Sequence, residues 1–196
     1  QGNGWLSERL AAPLGDRLHT GRVIHRIEPG RHGVTVDALD VVSGRRERWQ
    51  ARQVVVALPV HVAARVVQPL PAALRERAAG LRSAPWLVAN LRLRAPLDDR
   101  PGAAPSWDNV LYGSAGLGYV DAMHQSLAPV PGPTVLTWYQ ALGDVPGGRE
   151  QLLRRPWSHW RDAVLAELGA AHPDLAAKTL RIDITRYGHA MAVPVP

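Results

Sequence analysis

Four side chains able to take part in proton transfer or hydrogen bonding occur close together in the segment GYVDAMHQ: Tyr119, Asp121, His124 and Gln125. Because successive side chains of a strand point to opposite faces, Tyr119 and Asp121 share one face if this segment is extended. Phenol, carboxylate and imidazole groups there would form the polar wall of a substrate pocket. An ordinary strand surface is the alternative, and the spacing is compatible with both interpretations.

Residue type and spacing argue against several other kinds of site. None of the eight histidines forms a His-x-x-x-His or His-Glu-x-x-His pair, so we expect no metal site built from neighbouring residues. The 196 residues include no cysteine, which excludes disulfides, zinc–thiolate sites and a cysteine nucleophile among them. The segment YGSAG keeps only the centre of the Gly-x-Ser-x-Gly motif and lacks its strand-to-helix setting, so it does not indicate a serine hydrolase.

The composition, with 46% hydrophobic and 20% charged residues, is typical of a soluble globular protein of one or two domains. No apolar run approaches the ~20 residues that a membrane span needs, and no signal segment is recognised, so we expect a cytoplasmic protein without membrane partners. The net charge of +6 comes from scattered arginines, and Lys178 is the only lysine. We interpret this as a coding bias rather than as a nucleic-acid surface, although nucleic-acid binding remains an alternative.

The first third of the chain predicts a helix, a β-hairpin and a buried strand. Leucines spaced along one helix face predict a helix ending near Gly15, and RVIHRIE and GVTVDALD predict two strands joined at Pro29-Gly30. A turn then leads back into RERWQARQ. The uninterrupted apolar run Val54–Val56 predicts a strand covered on both faces. Two helices are expected next, over about residues 61–67 and 71–81.

From about residue 83 the pattern predicts a separate layer of alternating strands and one long helical segment. Apolar residues alternate with polar ones from Leu87 to Leu93, and GPTVLTWYQAL and TLRIDITRYG predict further strands. An apolar helix stripe runs from Trp157 to Leu168, and Pro156 should kink or divide this helix. The glycines of YGSAGLGYV are interpreted as a loop between two short strands. The expected fold class is α+β, with a mostly antiparallel or mixed sheet backed by helices.

In order and spacing, these segments together resemble the middle of a flavin-containing amine oxidase-like protein. QGNGWLSERLAAPLG is similar to the glycine-rich turn and helix that precede the β-hairpin of that family, and ARQVVVALP is similar to the buried strand after it. NLRLRAPL resembles the first strand of the substrate domain. TRYGHAMAVPVP resembles the strand and loop that lead back into the FAD domain.

The resemblance implies a β-hairpin-containing part of a split Rossmann-type FAD domain over residues 1–81. It implies a substrate-binding domain with a return strand over residues 83–196. The Gly-x-Gly-x-x-Gly turn that holds the pyrophosphate of FAD does not occur in the sequence, nor does the family's segment after PVP. We therefore expect an internal fragment, without bound FAD of its own, whose partners are the other segments of its FAD domain. Its apolar surface near QVVVALP would favour self-association.

The resemblance also implies the positions that contact cofactor and substrate. Ile24 corresponds to the residue whose backbone faces the adenine of FAD, and Ala57 and Pro59 would lie near the cofactor. Arg94 stands roughly where several family members carry a lysine near the flavin. Tyr187 corresponds to an aromatic residue that walls the substrate cavity, with His189 beside it.

The function implied is an FAD-dependent oxidoreductase of amine oxidase type, which transfers a hydride from a small-molecule substrate to the flavin. The fragment alone is expected to be inactive. A non-catalytic interaction module of similar architecture is the alternative. If the leading hypothesis holds, Tyr119, His124 and Tyr187 should converge on one concave surface.

Overall fold

The computed structural model describes residues 2–102, 106–127 and 130–194. Residues 103–105, within the Pro- and Gly-containing segment DDRPGAAPSW, lie outside the described residues, as do Val195 and Pro196 at the end of the chain. The chain divides into two compact units, Gln1–Leu81 and Arg82–Pro196. Each unit contains an antiparallel sheet, so the expected α+β fold class with helix-backed antiparallel sheet is confirmed.

The first unit contains a helix, a three-stranded sheet in the order β1-β2-β3, and two short helices. Its elements are α1 (Gly2–Ala11), a 3-10 helix (Ala12–Arg17), β1 (Arg22–Gly30), β2 (Gly33–Asp40), β3 (Arg46–Ala51), α2 (Val60–Val66) and α3 (Ala72–Gly80).

Charged pairs across neighbouring strands help to align the first sheet. Asp37 of β2 lies opposite Arg48 of β3 and accepts two hydrogen bonds from its guanidinium group, at 2.7 and 3.0 Å. These bonds lower the pKa of Asp37 below its usual value. Such exposed pairs contribute little free energy each, but they match the register that the hairpin turns impose.

The run Val54–Val56 differs from its prediction as a strand covered on both faces. Residues 53–57 belong to no strand, and the Val55 side chain is 92% exposed. A buried parallel strand needs a neighbour on each edge and a helix layer on each face. Within the described residues, the nearest parallel pairing is a single bridge between Ile27 and Val67. The prediction of a buried strand is therefore wrong for this structure.

The second unit is a five-stranded antiparallel sheet in the order β5-β6-β7-β4-β8 with helices against one face. Its elements are β4 (Arg82–Leu93), β5 (Asp108–Asn109), β6 (Tyr119–Asp121), a 3-10 helix (Ala122–Gln125), β7 (Thr134–Ala141), α4 (Gly148–Arg154), α5 (Trp157–Ala171), α6 (Leu175–Lys178) and β8 (Thr179–Val193). As the sequence predicted, Pro156 separates two helices, because its ring and missing N–H interrupt the helical hydrogen-bond ladder.

The core of the second unit lies between α5 and the facing side of the sheet. The alternating residues Leu87–Leu93 of β4 are fully buried there with Trp138 of β7. On α5, the predicted stripe is buried at Trp160, Val164 and Leu168, whereas Trp157 at its start is 44% exposed. No helix in the described part of the chain combines the length and the apolar character needed to cross a bilayer.

We predict that Leu91→Ala lowers the free energy of unfolding by about 2–5 kcal/mol, because Leu91 is 0% exposed and its removal leaves a cavity. The matched control is Leu180→Ala on β8, where the leucine is 52% exposed and the loss should stay below about 1 kcal/mol. Urea denaturation followed by circular dichroism measures both. Equal losses for the two variants would contradict the assigned core.

Candidate functional site

The sheet of the second unit has a second face, opposite the helices, that carries its own pattern of side chains. Along β4 the residues that alternate with the buried leucines, Trp86, Val88 and Asn90, are only half-buried. Residues paired across an antiparallel sheet project from the same face. The residues of β7 and β8 that pair with them therefore complete this surface, which we call the open face.

Three aromatic residues meet at one end of the open face: Trp86, Tyr139 and Tyr187, here named the aromatic patch. Trp86 pairs directly with Tyr187 of β8, and its ring lies 6.4 Å from that of Tyr139 on β7. Tyr187 is 49% exposed, so it is not a core residue. Burial, together with the charge of Asp108, raises the pKa of Tyr139. The Tyr139 phenol is therefore uncharged at neutral pH.

Polar groups occupy the rest of the open face. Asn90 pairs with Asp183 of β8 and accepts a 2.8 Å hydrogen bond from the hydroxyl of Thr137. Asp183 also accepts hydrogen bonds at 2.8 and 2.6 Å from Arg181, two residues away on the same strand. An apolar aromatic area with a few fixed polar groups is the usual composition of a small-molecule binding surface.

The backbone that carries Tyr187 is held by Arg149 of α4. Its guanidinium group donates hydrogen bonds to the carbonyl oxygens of Gly188, at 2.8 Å, and Ser83, at 2.7 Å. Gly188 lies between Tyr187 and His189, and the pairing of β4 with β8 shifts register next to Trp86. Arg149 therefore ties both strands together where the aromatic patch is formed.

Tyr119 lies on the other face of the same sheet. It pairs with the buried Trp138, whose indole donates a 2.7 Å hydrogen bond to Glu167 of α5. Tyr119 is itself 6% exposed, and its hydroxyl lies 2.7 Å from Nε2 of His172. The predicted convergence of Tyr119, His124 and Tyr187 is therefore wrong, because the sheet register directs Tyr119 and Tyr187 to opposite sides.

His124 is exposed and packs against a neighbouring ring. Its Nδ1 lies 2.6 Å from the carbonyl oxygen of Asp121, and its ring is 5.2 Å from that of Trp107. The carboxylate of Asp121 accepts hydrogen bonds from the backbone of Met123 at 3.0 Å and from Thr134 at 2.6 Å. Asp121 therefore caps the short helix that carries His124.

The remaining predicted substrate contacts occupy different ends of the sheet. Arg94 is exposed just beyond β4, at the opposite end of that strand from Trp86, and its backbone N–H donates a 2.9 Å hydrogen bond to the carbonyl oxygen of Lys178. Arg94 is therefore not part of the aromatic patch. His189 is exposed two residues after Tyr187 on β8, in the stretch where the pairing of β4 with β8 shifts register.

The three predicted cofactor contacts lie in the first unit. Ile24 is half-buried on β1, next to a register shift between Ile24 and Arg26. Because β1 is an edge strand, its outward N–H and C=O groups near Ile24 have no strand partner among the described residues. An edge of this kind has backbone groups that can hydrogen-bond a nucleobase. Ala57 and Pro59 are exposed, and Pro59 is the residue before α2.

His172 is a buried polar residue that the sequence did not single out. Burial first, and then the positive charge of Arg100, lower the pKa of His172 below its usual value. Burial also raises the pKa of Tyr119, so both members of the hydrogen-bonded pair are neutral near pH 7. Among the described residues, no group of three or more histidine, aspartate or glutamate side chains could hold a metal ion.

Residues 1–192 match the family model described as flavin containing amine oxidoreductase. The chain is similar to a putrescine oxidase redesigned in its cofactor binding, with a TM-score of 0.68, 15% identity and 93% of this chain covered. It is also similar to the cyclohexylamine oxidase from Brevibacterium oxydans IH-35A, with a TM-score of 0.66, 17% identity and 95% covered. In both comparisons the chain spans 38% of the length of the other protein. At these identities the likeness shows a shared fold.

We predict that stability falls as the pH is lowered through the ordinary pKa of histidine, about 6.5, partly because of His172. Its pKa is lower in the folded chain, so the unfolded chain binds more protons in this range and acid favours unfolding. Urea denaturation at pH 7.5 and pH 5.5 should give a smaller difference for His172→Gln than for the unsubstituted chain. His124→Gln, at an exposed site, serves as the control. An unchanged difference in His172→Gln would contradict the prediction.

Proposed function

The chain belongs to the flavin containing amine oxidoreductase family, and from that premise we propose that it provides the substrate-binding sheet and one edge of the FAD site of an FAD-dependent oxidoreductase. In this proposal residues 1–81 are the middle portion of the FAD-binding domain. Residues 83–196 are the substrate-binding domain. Bound FAD would supply the redox chemistry by accepting a hydride from a small-molecule substrate.

The observation that carries the proposal is the aromatic patch. Tyr187 is half exposed beside Trp86 and Tyr139, so three aromatic residues lie together on one accessible sheet face. Such rings offer a flat apolar wall for a carbon skeleton, and their faces also attract an amine. Because Tyr139 stays neutral, the wall adds no charge that would hold water next to the reacting carbon.

The patch works by orientation and by exclusion of water. None of its side chains needs to act as a general acid or base, since the hydride leaves the substrate for the cofactor. The hydrogen-bonded pair Asn90 and Thr137 can align polar groups of the substrate on the same face. His189 extends this wall beyond Tyr187. Arg149 is a positioning residue, because it holds the backbone on both sides of the patch.

Among the described residues, those that we propose to contact FAD lie on the edge of β1 and in the segment after β3. The backbone near Ile24 suits the adenine, and the small exposed side chain of Ala57, with Pro59, allows close approach of the cofactor. The sequence contains no Gly-x-Gly-x-x-Gly turn to hold the pyrophosphate. We therefore propose that these 196 residues need further protein segments to retain FAD. The exposed valines near Val55 are the surface on which such segments, or a second copy, would pack.

In the full-length protein that contains this chain, we predict that Tyr187→Ala lowers kcat/KM for an amine substrate about tenfold, as expected for an aromatic contact worth roughly 1.4 kcal/mol. The melting temperature should change little, because Tyr187 does not fill the core. Tyr112→Ala removes a fully exposed tyrosine from a loop and is the matched control. The reverse result, unchanged turnover with a large loss of stability, would assign Tyr187 a structural role. A full-length protein without flavin would favour the non-catalytic interaction module.

We predict that the 196-residue chain alone is colourless and does not bind FAD at micromolar concentration. The few contacts near Ile24 cannot offset the several kcal/mol lost when a ligand is immobilised. Titration of FAD with the purified chain, followed by flavin fluorescence, measures this directly. Saturable micromolar binding, or amine-dependent formation of peroxide, would show that the chain needs no other segment.

A further inference from the structure

A cleft of about 490 Å³ opens beside β6, on the side of the sheet opposite the aromatic patch. Its volume lies within the range of small-molecule sites, about 300–1,000 Å³. We call it the β6 cleft. Its walls include the apolar side chains of Leu97, Leu111 and Met123, and its polar lining includes Tyr119, Asp121 and His172.

The Tyr119–His172 pair in this cleft has unused hydrogen-bonding capacity. Both residues are 6% exposed, and their 2.7 Å bond uses only Nε2 of the imidazole. Nδ1 of His172 is buried and has no hydrogen-bond partner among the described residues. When Tyr119 donates to Nε2, the phenol oxygen can still accept a hydrogen bond. When His172 donates, the lone pair of Nδ1 can accept one. In either arrangement one atom of the pair keeps an unused acceptor lone pair.

Asp121 supplies the half-buried negative charge of the cleft. The hydrogen bonds that it accepts from described residues, from Met123 and Thr134, both go to Oδ1. Oδ2 therefore retains acceptor capacity. Because Asp121 is partly shielded from water, its charge acts on a ligand more strongly than an exposed charge would.

The other charges that line the cleft are neutralised or exposed. Asp98 pairs with Lys178 at 2.6 Å. Asp99 and Arg100 are exposed neighbours at the rim. The positive charge of Arg100 acts on His172 and Tyr119, but the lining carries the three carboxylates of Asp98, Asp99 and Asp121 against this one guanidinium group. The lowered pKa of His172 keeps the imidazole neutral near pH 7, so the buried pair does not repel a cation. The charged lining of the cleft is thus net negative, and its buried part is rich in acceptors.

We propose that the β6 cleft binds a small organic amine, with its ammonium group at Asp121 and the Tyr119–His172 pair. The apolar part of the amine packs against Leu97, Leu111 and Met123. This site is separate from the aromatic patch, because Tyr119 and Tyr187 lie on opposite faces of one sheet. It does not depend on the proposed flavin chemistry, and it would serve binding or regulation rather than catalysis.

The test uses benzylamine as the probe and benzyl alcohol as its uncharged counterpart. Each is titrated into the 196-residue chain at pH 7.5, and the imidazole signals of His172 are followed by NMR after assignment with His172→Gln. Benzylamine should shift the His172 signals saturably at millimolar concentration or below. Benzyl alcohol should bind at least about tenfold more weakly, because it lacks the charge that Asp121 attracts. No saturable shift, or equal binding of the two probes, would overturn the proposal.

Two isosteric variants locate the charge that binds the amine. Asp121→Asn removes the charge but keeps an oxygen that can accept from Met123 and Thr134, so the fold should be retained, and benzylamine affinity should fall about tenfold. Asp183→Asn makes the same change on the open face and should leave affinity unchanged. The opposite pattern, with Asp183→Asn weakening binding and Asp121→Asn without effect, would assign the amine to the open face. If Asp121→Asn lowers the melting temperature, Tyr119→Phe provides a second variant that should weaken binding.

Discussion

The alternation of side chains along β4 is the constraint on which the second unit depends. β4 pairs with β7 on one edge and β8 on the other, so each of its residues is committed to one of two faces. Leu87, Ala89 and Leu91 enter the core, while Trp86, Val88 and Asn90 form the open face. A slip of one residue would exchange these sets and place leucines in solvent. The hydrophobic core and the aromatic patch are therefore two consequences of one register.

Contacts from the helices hold this register in place. Glu167 of α5 accepts hydrogen bonds from Trp138 of β7 and from the backbone of Gly116, at 2.7 and 2.9 Å. A Cβ atom at Gly116 would collide with the side chains of Glu167 and Trp138, so glycine is required for the loop to approach the sheet so closely. This loop leads directly into β6, and Tyr119 is buried as a result. Arg149 of α4 acts similarly where β4 and β8 carry the aromatic patch.

In the first unit, the sequence predicted the hairpin correctly but not the state of the valine run that follows it. Its β2–β3 hairpin is held by a local turn and by the ion pair between Asp37 and Arg48. Both depend only on residues that are close together in the sequence. The valine run after it has the composition of a strand buried on both faces, yet Val55 is 92% exposed. Hydrophobic composition reports how strongly a segment favours burial, but it does not supply the neighbouring strands and helices that bury it. The chain spans 38% of the length of the solved proteins it is similar to.

Apart from the strand wrongly predicted at Val54–Val56, the sequence by itself determined the order of the helices and strands, the interruption at Pro156 and the buried alternation from Leu87 to Leu93. Those features depend on residues close together in the chain, whose spacing repeats with the period of the helix or strand. The same alternation, extended back from Leu87 to Trp86, could also have assigned Trp86 to the open face. Only the tertiary structure decided that Tyr119 and Tyr187 lie on opposite faces, because that follows from pairings through β6, β7, β4 and β8. The bond between Tyr119 and His172 has no local signal at all, since it joins residues 53 positions apart that meet only when the end of α5 packs against the sheet.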